Sequence, residues 1–187
     1  MAYDRKILYK NSKPPIWAYV FAVVFFLGSL LGLFTGRSLM LIINGAACAA
    51  CVAAAVGWHK GGKGNQKAYK EKLKEIPEDV LLEQVNDHCL LSKVKDDTAF
   101  FITDEYTFLA GSFILKTEDV AWFYVLPEGA ANSIFIADKK GNYYSGKTAV
   151  LSLKAELEPK VRGVLPHIFI GYSKEIQKQY EKKYSRS

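Results

Sequence analysis

The chain has few of the residues that carry catalytic or redox chemistry. It contains three cysteines, three histidines and two methionines in 187 residues. Three scattered cysteines do not make a disulfide framework, and the histidines lack the spacing of a zinc site. The chain also has no glycine-rich phosphate loop, no dinucleotide-binding fingerprint and no nucleophile elbow. These absences predict a protein that is not an enzyme and that needs no metal or other cofactor.

Two sets of residues nevertheless resemble motifs that carry chemistry. Cys48-Ala-Ala-Cys51 has the spacing of a redox or metal-binding pair, but no base or further ligand lies nearby in the sequence. We interpret these cysteines as small residues in a helix contact, and whether they have any further role stays open. The acidic pairs all fall at predicted turns or strand entries, where Asp bonds local backbone, so acid–base catalysis is not expected there. These pairs are Asp96-Asp97, Asp104-Glu105 and Glu118-Asp119.

The basic charge is concentrated in the first part of the chain. Residues 1–77 carry eleven Lys or Arg and three Asp or Glu, whereas residues 78–187 carry fourteen basic and sixteen acidic side chains. A nucleic-acid-binding domain would carry its basic surface on the folded part. The nearly neutral second part therefore argues against a nucleic-acid partner.

Two long apolar runs lie close together near the N-terminus. They cover residues 16–34 and about 39–57, and only Thr35-Gly36-Arg37-Ser38 separates them. At about 1.5 Å per residue, each run is long enough to cross most of a hydrocarbon core about 30 Å thick. Because four residues cannot return across a membrane, the sequence predicts an antiparallel transmembrane hairpin, with the lipid bilayer as an integral partner.

The basic residues around these runs predict the orientation of the hairpin. Four lie before the first run and four after the second, whereas the link contains only Arg37. Basic residues are retained on the cytoplasmic side, so both termini are expected there, in a cell-membrane protein with two spans.

Small residues mark the expected helix contact. Gly28, Gly32 and Gly36 recur at four-residue spacing in and after the first run, and Gly45 and Ala49 represent the small face of the second. Small residues let helices approach closely in lipid. The interpretation we favour is contact within the hairpin, and contact between copies in a homo-oligomer stays open.

Lysines follow the second run and are candidates for contact with anionic lipid headgroups. They are Lys60, Lys63, Lys67 and Lys70. The alternative is that they only fix the topology. Residues 61–65 read as a flexible glycine-rich hinge, and short helices are expected from there to residue 87.

From residue 88 the apolar pattern changes to a period of two. Strands are predicted over residues 89–95, 99–103, 106–110, 113–116, 120–126, 133–138 and 142–145. A helix over about 148–161, an extended segment over 167–171 and a last helix over 174–184 follow. The predicted fold class is therefore α+β: a helical hairpin followed by a mainly antiparallel β domain with C-terminal helices.

The order of these elements resembles that of bacterial membrane-anchored proteins with a pleckstrin-homology-like (PH-like) cytoplasmic domain. The resemblance covers roughly residues 88–184 and rests on Phe100–Tyr106, Glu118–Phe123, the Lys140-Gly141 turn and Gly171–Glu175. It implies a bent antiparallel barrel closed by one helix, which binds proteins, peptides or lipids. Basic turns in such domains can hold phosphoinositide headgroups, but we interpret residues 139–142 as a soluble turn.

These patterns divide the chain into residues 1–60, a lead-in and hairpin; 61–87, a juxtamembrane hinge and helices; and 88–187, the PH-like domain. The leading functional hypothesis is an interaction or scaffolding module that binds a protein partner at the membrane. The alternative is an accessory or regulatory subunit that docks on a larger transporter or enzyme through its Gly- and Ala-rich helices. A membrane-associated enzyme is the third hypothesis.

Overall fold

A computed structural model describes residues 2–9, 16–36, 38–95, 98–128, 131–148 and 152–184. The chain divides into two compact units. One unit consists of Lys13–Lys63, and the other combines Met1–Ser12 with Gly64–Ser187. The N-terminal residues, predicted as a lead-in to the hairpin, thus group with the β domain.

The smaller unit is the predicted helical hairpin. Helix α1 spans Ile16–Phe34, and helix α2, which spans Ser38–Glu75, begins after a turn in which Gly36 has φ +67°. A left-handed φ of this kind suits glycine, because a Cβ would clash with the backbone. The sequence predicts two membrane spans, yet no helix is both long and apolar enough to cross a membrane in the parts of the chain that the structure describes.

Helix α2 differs from the sequence prediction in its length. It continues through the glycine-rich residues 61–65, for which a flexible hinge was predicted, and ends only at Glu75. Each glycine costs a helix about 1 kcal/mol relative to alanine but does not forbid helical dihedrals. The good helix formers on both sides of this segment are consistent with a helix that continues through it.

The larger unit contains two four-stranded sheets. Sheet 1 is antiparallel in the order β1-β2-β3-β4, with strands Cys89–Lys95, Thr98–Thr103, Tyr106–Leu109 and Phe113–Lys116. Sheet 2 has the order β7-β6-β5-β8, with β5 at Val120–Glu128, β6 at Ala131–Asp138, β7 at Tyr143–Thr148 and β8 at Phe169–Ile170. Strand β8 pairs with β5 in parallel, whereas the other pairs are antiparallel. The α+β fold class is confirmed.

Three helices complete this unit: α3 at Glu78–Asp87, α4 at Leu153–Val164 and α5 at Lys174–Tyr184. Helix α4 starts later than predicted because β7 continues to Thr148. The buried residues Leu153, Leu157 and Val161 of α4 pack into the core that both sheets share. These three residues form the apolar face of α4 that covers the sheets.

The N-terminal segment forms part of a second buried cluster. A 3-10 helix at Arg5–Tyr9 buries Ile7 and Leu8, which pack in a cluster with residues of α2, α3 and sheet 1. The hydroxyl of Tyr69 donates a hydrogen bond to the carbonyl of Leu8 at 2.7 Å. Tyr3 is tied to Asn86 by two hydrogen bonds and lies edge-on to Phe101. Residues 2–9 are thus part of the packed structure of the β domain.

Candidate functional site

Most faces of the described β domain are already covered by its own chain. The N-terminal segment, α2 and α3 pack on one face of sheet 1, and α4 packs in the core shared with sheet 2. Helix α5 covers aromatic residues on the other face of sheet 2, where Tyr180 is buried and donates to the carbonyl of Asp138. The surfaces of this domain that its own chain leaves open are therefore edges and grooves.

The groove beside α4 is occupied in part by the chain itself. Strand β8 adds to β5, and the N–H of Gly171 donates to the carbonyl of Phe123 at 2.9 Å. Further along β5, the N–H of Val125 donates to a carboxylate oxygen of Glu158 on α4 at 3.2 Å. The segment after α4, which includes β8, thus already occupies the edge of β5 where an extended peptide could otherwise pair.

A second groove lies between the two sheets, at edge strands β4 and β7. It has a volume of about 390 Å³ and is lined by residues of three elements. These residues are Ala68, Tyr69, Glu71, Lys72 and Glu75 of α2; Ser112, Phe113 and Ile114 at β4; and Tyr143, Tyr144 and Ser145 of β7. We call it the β4–β7 groove. Its volume lies within the range of about 300–1,000 Å³ that is usual for ligand sites.

The aromatic lining of the groove is fixed by packing. The rings of Phe113 and Tyr144 lie 6.3 Å apart, and Phe113 is buried. The Tyr144 hydroxyl donates to the Asp138 carboxylate at 3.1 Å. Burial, and then the nearby charge of Asp138, raises the pKa of Tyr144, so the hydroxyl stays protonated near neutral pH. Tyr144 therefore presents a fixed ring to the groove.

Asp138 organises the turn that leads into β7. Its carboxylate accepts hydrogen bonds from the backbone N–H groups of Lys140 and Asn142 and from the Asn142 side chain. Burial raises the pKa of Asp138, but these hydrogen bonds outweigh it and leave the pKa below the ordinary value. The Lys139–Asn142 turn is thus held by an internal carboxylate, which agrees with its interpretation as a structural turn.

A close approach at Gly146 shuts one end of the groove. A Cβ at this position would meet the side chain of Leu109 and lie 2.6 Å from the Ser112 Oγ. Only glycine lets β7 come this near to the β3–β4 connection. The two sheets therefore touch at Gly146.

The last turns of α2 separate their side chains into three faces. Tyr69 and Leu73 face the apolar cluster, while Ala68, Glu71, Lys72 and Glu75 line the groove. At 100° per residue, Lys67, Lys70 and Lys74 share the remaining face. Glu71 and Glu75 thus lie at the groove, whereas Lys67, Lys70 and Lys74 lie on a face of α2 that is turned away from it.

The predicted helix-contact residues occupy different positions in the hairpin. A Cβ on Gly28 would lie 3.0 Å from the Asn44 side chain, and one on Gly32 would lie 2.9 Å from the Leu41 backbone nitrogen. A Cβ on Gly45 would lie 3.9 Å from the Oγ of Ser29. Gly28 and Gly32 therefore meet α2 within the hairpin.

Two members of the predicted set do not make that contact. Gly36 belongs to the turn, with open space around it, and Ala49 is exposed. Cys48 lies at the helix contact and its thiol donates to the carbonyl of Ala22 at 3.4 Å. Cys51 is half-buried and free.

The candidate lipid-contact lysines lie along α2. Lys67 and Lys70 are exposed. Lys60 and Lys63 belong to the helix, but their side chains lie outside the described residues. Among the described residues, no group of three or more His, Cys, Asp or Glu side chains could hold a metal ion.

The sequence analysis missed the β4–β7 groove. Its walls come from three segments that are far apart in the chain, and their approach depends on tertiary packing. One local signal was present: Glu71 and Glu75 form a like-charged i, i+4 pair within an otherwise basic helix. Such a pair destabilises an isolated helix slightly, which suggests a role outside the helix.

Comparisons with known proteins add no assignment. No protein family, curated protein or solved structure matches this chain.

Proposed function

We propose that the protein is a membrane-anchored interaction module, in which the hairpin holds the β domain at the cytoplasmic face of a cell membrane and the β domain binds a protein partner. The observation that carries this proposal is the apolar surface of the hairpin. Leu31 is 62% exposed and Phe34 is 83% exposed, and neighbouring large apolar side chains of both helices are exposed as well. An apolar surface of this extent is typical of a membrane or protein interface.

The composition of α1 supports insertion in lipid rather than a water-exposed role. The helix contains 19 residues and no charged side chain. Its length, at about 1.5 Å per residue, is close to the thickness of a hydrocarbon core. The backbone groups within such a helix are satisfied internally, as a lipid environment requires.

The N-terminal segment supports a common location for both ends of the hairpin. Residues 2–9 pack in the same unit as Tyr69 and α3. This grouping supports a topology in which both ends of the hairpin lie on one side of the membrane. The basic residues flanking the hairpin favour the cytoplasmic side.

The architecture of the β domain supports a PH-like assignment. Two mainly antiparallel sheets enclose a core that α4 joins, in the order that the sequence resemblance implied. Domains of this kind are interaction modules, and a strand edge offers main-chain hydrogen bonds to an extended partner.

The accessory-subunit alternative gains less support. It needs the glycine row for docking onto a larger complex, but Gly28 and Gly32 already meet Asn44 and Leu41 within the hairpin. Homo-oligomer contact through the same row meets the same objection.

Membrane anchoring is tested by Phe26→Arg, at an exposed apolar position of α1. An arginine at the centre of a membrane helix costs about 2.5–3.5 kcal/mol on insertion scales, so the variant should lose a large share of its carbonate-resistant membrane fraction. Leu90→Arg, at an exposed position of β1, is the matched control and should remain in the membrane fraction. Wild-type protein that is fully extracted by carbonate would refute the anchor.

A further inference from the structure

Helix α5 covers an aromatic surface of the β domain. This surface, which we call the outer face of sheet 2, consists of Ala121, Trp122, Tyr124 and Ala137. We propose that α5 is a displaceable cover, which occupies the outer face until an amphipathic helix of a partner protein takes its place. This inference rests on the proposed function and adds to it the binding surface, the chemistry of the partner and the way in which access is controlled.

Few interactions hold α5 on the sheet. Tyr180 is its one buried residue, and the Tyr180 hydroxyl donates a hydrogen bond to the Asp138 carbonyl at 2.7 Å. The Nζ of Lys183 lies 5.7 Å from the centre of the Phe169 ring. Within the described part of the chain, no ion pair links α5 to another element. A helix with so few buried contacts opens locally at a lower free energy than the core.

Helix α4 is held much more firmly. It carries three fully buried apolar residues, and its acidic side chains bond to both sheets. Glu156 forms an ion pair with Lys93 of β1, and Glu158 accepts a hydrogen bond from the N–H of Val125 on β5. The displacement of α5 would therefore leave α4 and the shared core in place.

The outer face is shaped by residues other than those of α5. The Trp122 Nε1 donates to the carbonyl of Gly171 at 2.8 Å, and the ring of Tyr172 stacks on Trp122 with the centroids 6.1 Å apart. The N–H of Gly171 in turn donates to the carbonyl of Phe123. These contacts come from β8 and the residues that follow it. A surface that is ordered before it binds loses little conformational entropy when a new helix arrives.

The side chains of α5 indicate which helix would replace it. Ile176, Tyr180 and Tyr184 recur at four-residue spacing and pack in the same cluster as the outer face. The Tyr180 ring lies 5.3 Å from the ring of Trp122 and 5.9 Å from that of Tyr143. A helix lies in an apolar groove through anchors at such spacings. The partner is therefore a helix with aromatic or aliphatic side chains at positions i, i+4 and i+8.

The test uses the isotope-labelled full chain in nanodiscs of neutral phosphatidylcholine and an unlabelled peptide with the sequence of residues 173–184. Amide hydrogen exchange, followed by mass spectrometry, distinguishes the α5 of the chain from the peptide. The peptide should raise the exchange rate of residues 176–180 of the chain about tenfold, because it takes the place of their helix. A peptide with alanine in place of Tyr180 should change this rate less than about twofold.

Variants of the chain test the same replacement by peptide affinity. Tyr180→Ala weakens the seating of α5 and should bind the fluorescein-labelled peptide about tenfold more tightly than wild type. Ile176→Ala, at a half-buried position on the same side of α5, should tighten binding about threefold, whereas Lys178→Ala, at an exposed position, should change it less than about twofold. An exchange rate at residues 176–180 that the peptide leaves unchanged, or equal affinities of wild type and both α5 variants, would overturn the assignment.

A crosslinking competition in native membranes distinguishes this inference from the proposed function. If the wild-type β domain crosslinks to a protein and the peptide does not reduce that crosslink, the assignment of the outer face fails while the interaction module stands. If no protein crosslinks to the β domain, the interaction module fails and the displaceable cover fails with it.

Discussion

At the scale of single residues, the shape of the groove depends on two positions in and before β7. Gly146 lets the strand approach sheet 1, and Asp138 holds the turn from which the strand starts. Neither residue has an apolar side chain, so neither contributes through burial of its own surface. Gly146 allows the backbone of β7 to approach sheet 1, and Asp138 fixes the backbone of the turn before β7.

Gly146→Ala should destabilise the protein, because the added methyl group would meet Leu109 and Ser112. Overpacking of this kind costs about 1–3 kcal/mol. Chemical denaturation followed by tryptophan fluorescence measures the loss. Gly163→Ala in α4 is the control, because its Cβ would meet open space and the substitution should stabilise the helix by about 0.5–1 kcal/mol.

Asp138→Asn should destabilise the protein at pH 7 by about 1–2 kcal/mol, since hydrogen bonds to a charged acceptor are stronger than those to a neutral one. The folded-state pKa of Asp138 is below its ordinary value of 3.8, so its contribution is present above that pH and is lost as the pH falls through the folded-state pKa. Unfolding curves at pH 7, 5 and 3 should show the difference between wild type and variant shrinking at the lowest pH. A difference independent of pH would contradict the role of the ionised carboxylate, and Asp87→Asn, at an exposed position of α3, is the control and should have little effect on the free energy of unfolding.

At the scale of elements, the N-terminal segment is the part whose role the sequence concealed. Ile7-Leu8 is only a short apolar pair near basic residues, so the sequence predicts no more than a lead-in to the hairpin. The β strands were easier to predict, because their alternation and turn residues are local signals: β1 and β4 have the predicted bounds. The partners of the N-terminal segment, in contrast, lie more than 60 residues away in the chain.

The same distinction explains the hinge wrongly predicted within α2 and the missed groove. Local composition at residues 61–65 favoured a hinge, but helices on both sides extend through it. The groove requires α2, β4 and β7 to meet, and no periodicity encodes that meeting. Patterns within one element could therefore be predicted, and contacts between distant elements could not.

Leu8→Ala should destabilise the β domain by about 2–5 kcal/mol, because the side chain is fully buried. Tyr69→Phe, which removes only the hydroxyl that bonds to the Leu8 carbonyl, should cost about 0.5–1.5 kcal/mol. Thermal unfolding of the full chain in detergent measures both. Tyr172→Phe, at an exposed ring outside this segment, is the control, and a Leu8→Ala variant as stable as that control would show that residues 2–9 are not part of the core.

At the scale of the whole molecule, the grouping of Met1–Ser12 with Gly64–Ser187 constrains the topology. The chain leaves the β domain after the N-terminal segment, forms the hairpin and returns to the β domain in the last turns of α2. The basic face of α2 and the acidic rim of the groove also divide the surroundings of the β domain by charge.

Epitope tags at the two ends should lie on the same side of the membrane. Protease added to intact spheroplasts should spare both tags, and protease added to inverted vesicles should remove both. Leu90→Ala, at an exposed position of β1 and with no change in the charge of the chain, serves as a control for the tagging procedure. Protection of one tag and removal of the other in the same preparation would exclude the proposed topology.

The closure of the N-terminal segment onto α2 and α3 also has a consequence for synthesis. Leu8 leaves the ribosome before any of the hairpin, yet its hydrogen-bond partner Tyr69 follows 61 residues later. Residues 2–9 must therefore wait, without their packing partners, until both helices of the hairpin have emerged. The β domain can therefore be completed only after the chain has turned back through the hairpin, so the two units form in a fixed order.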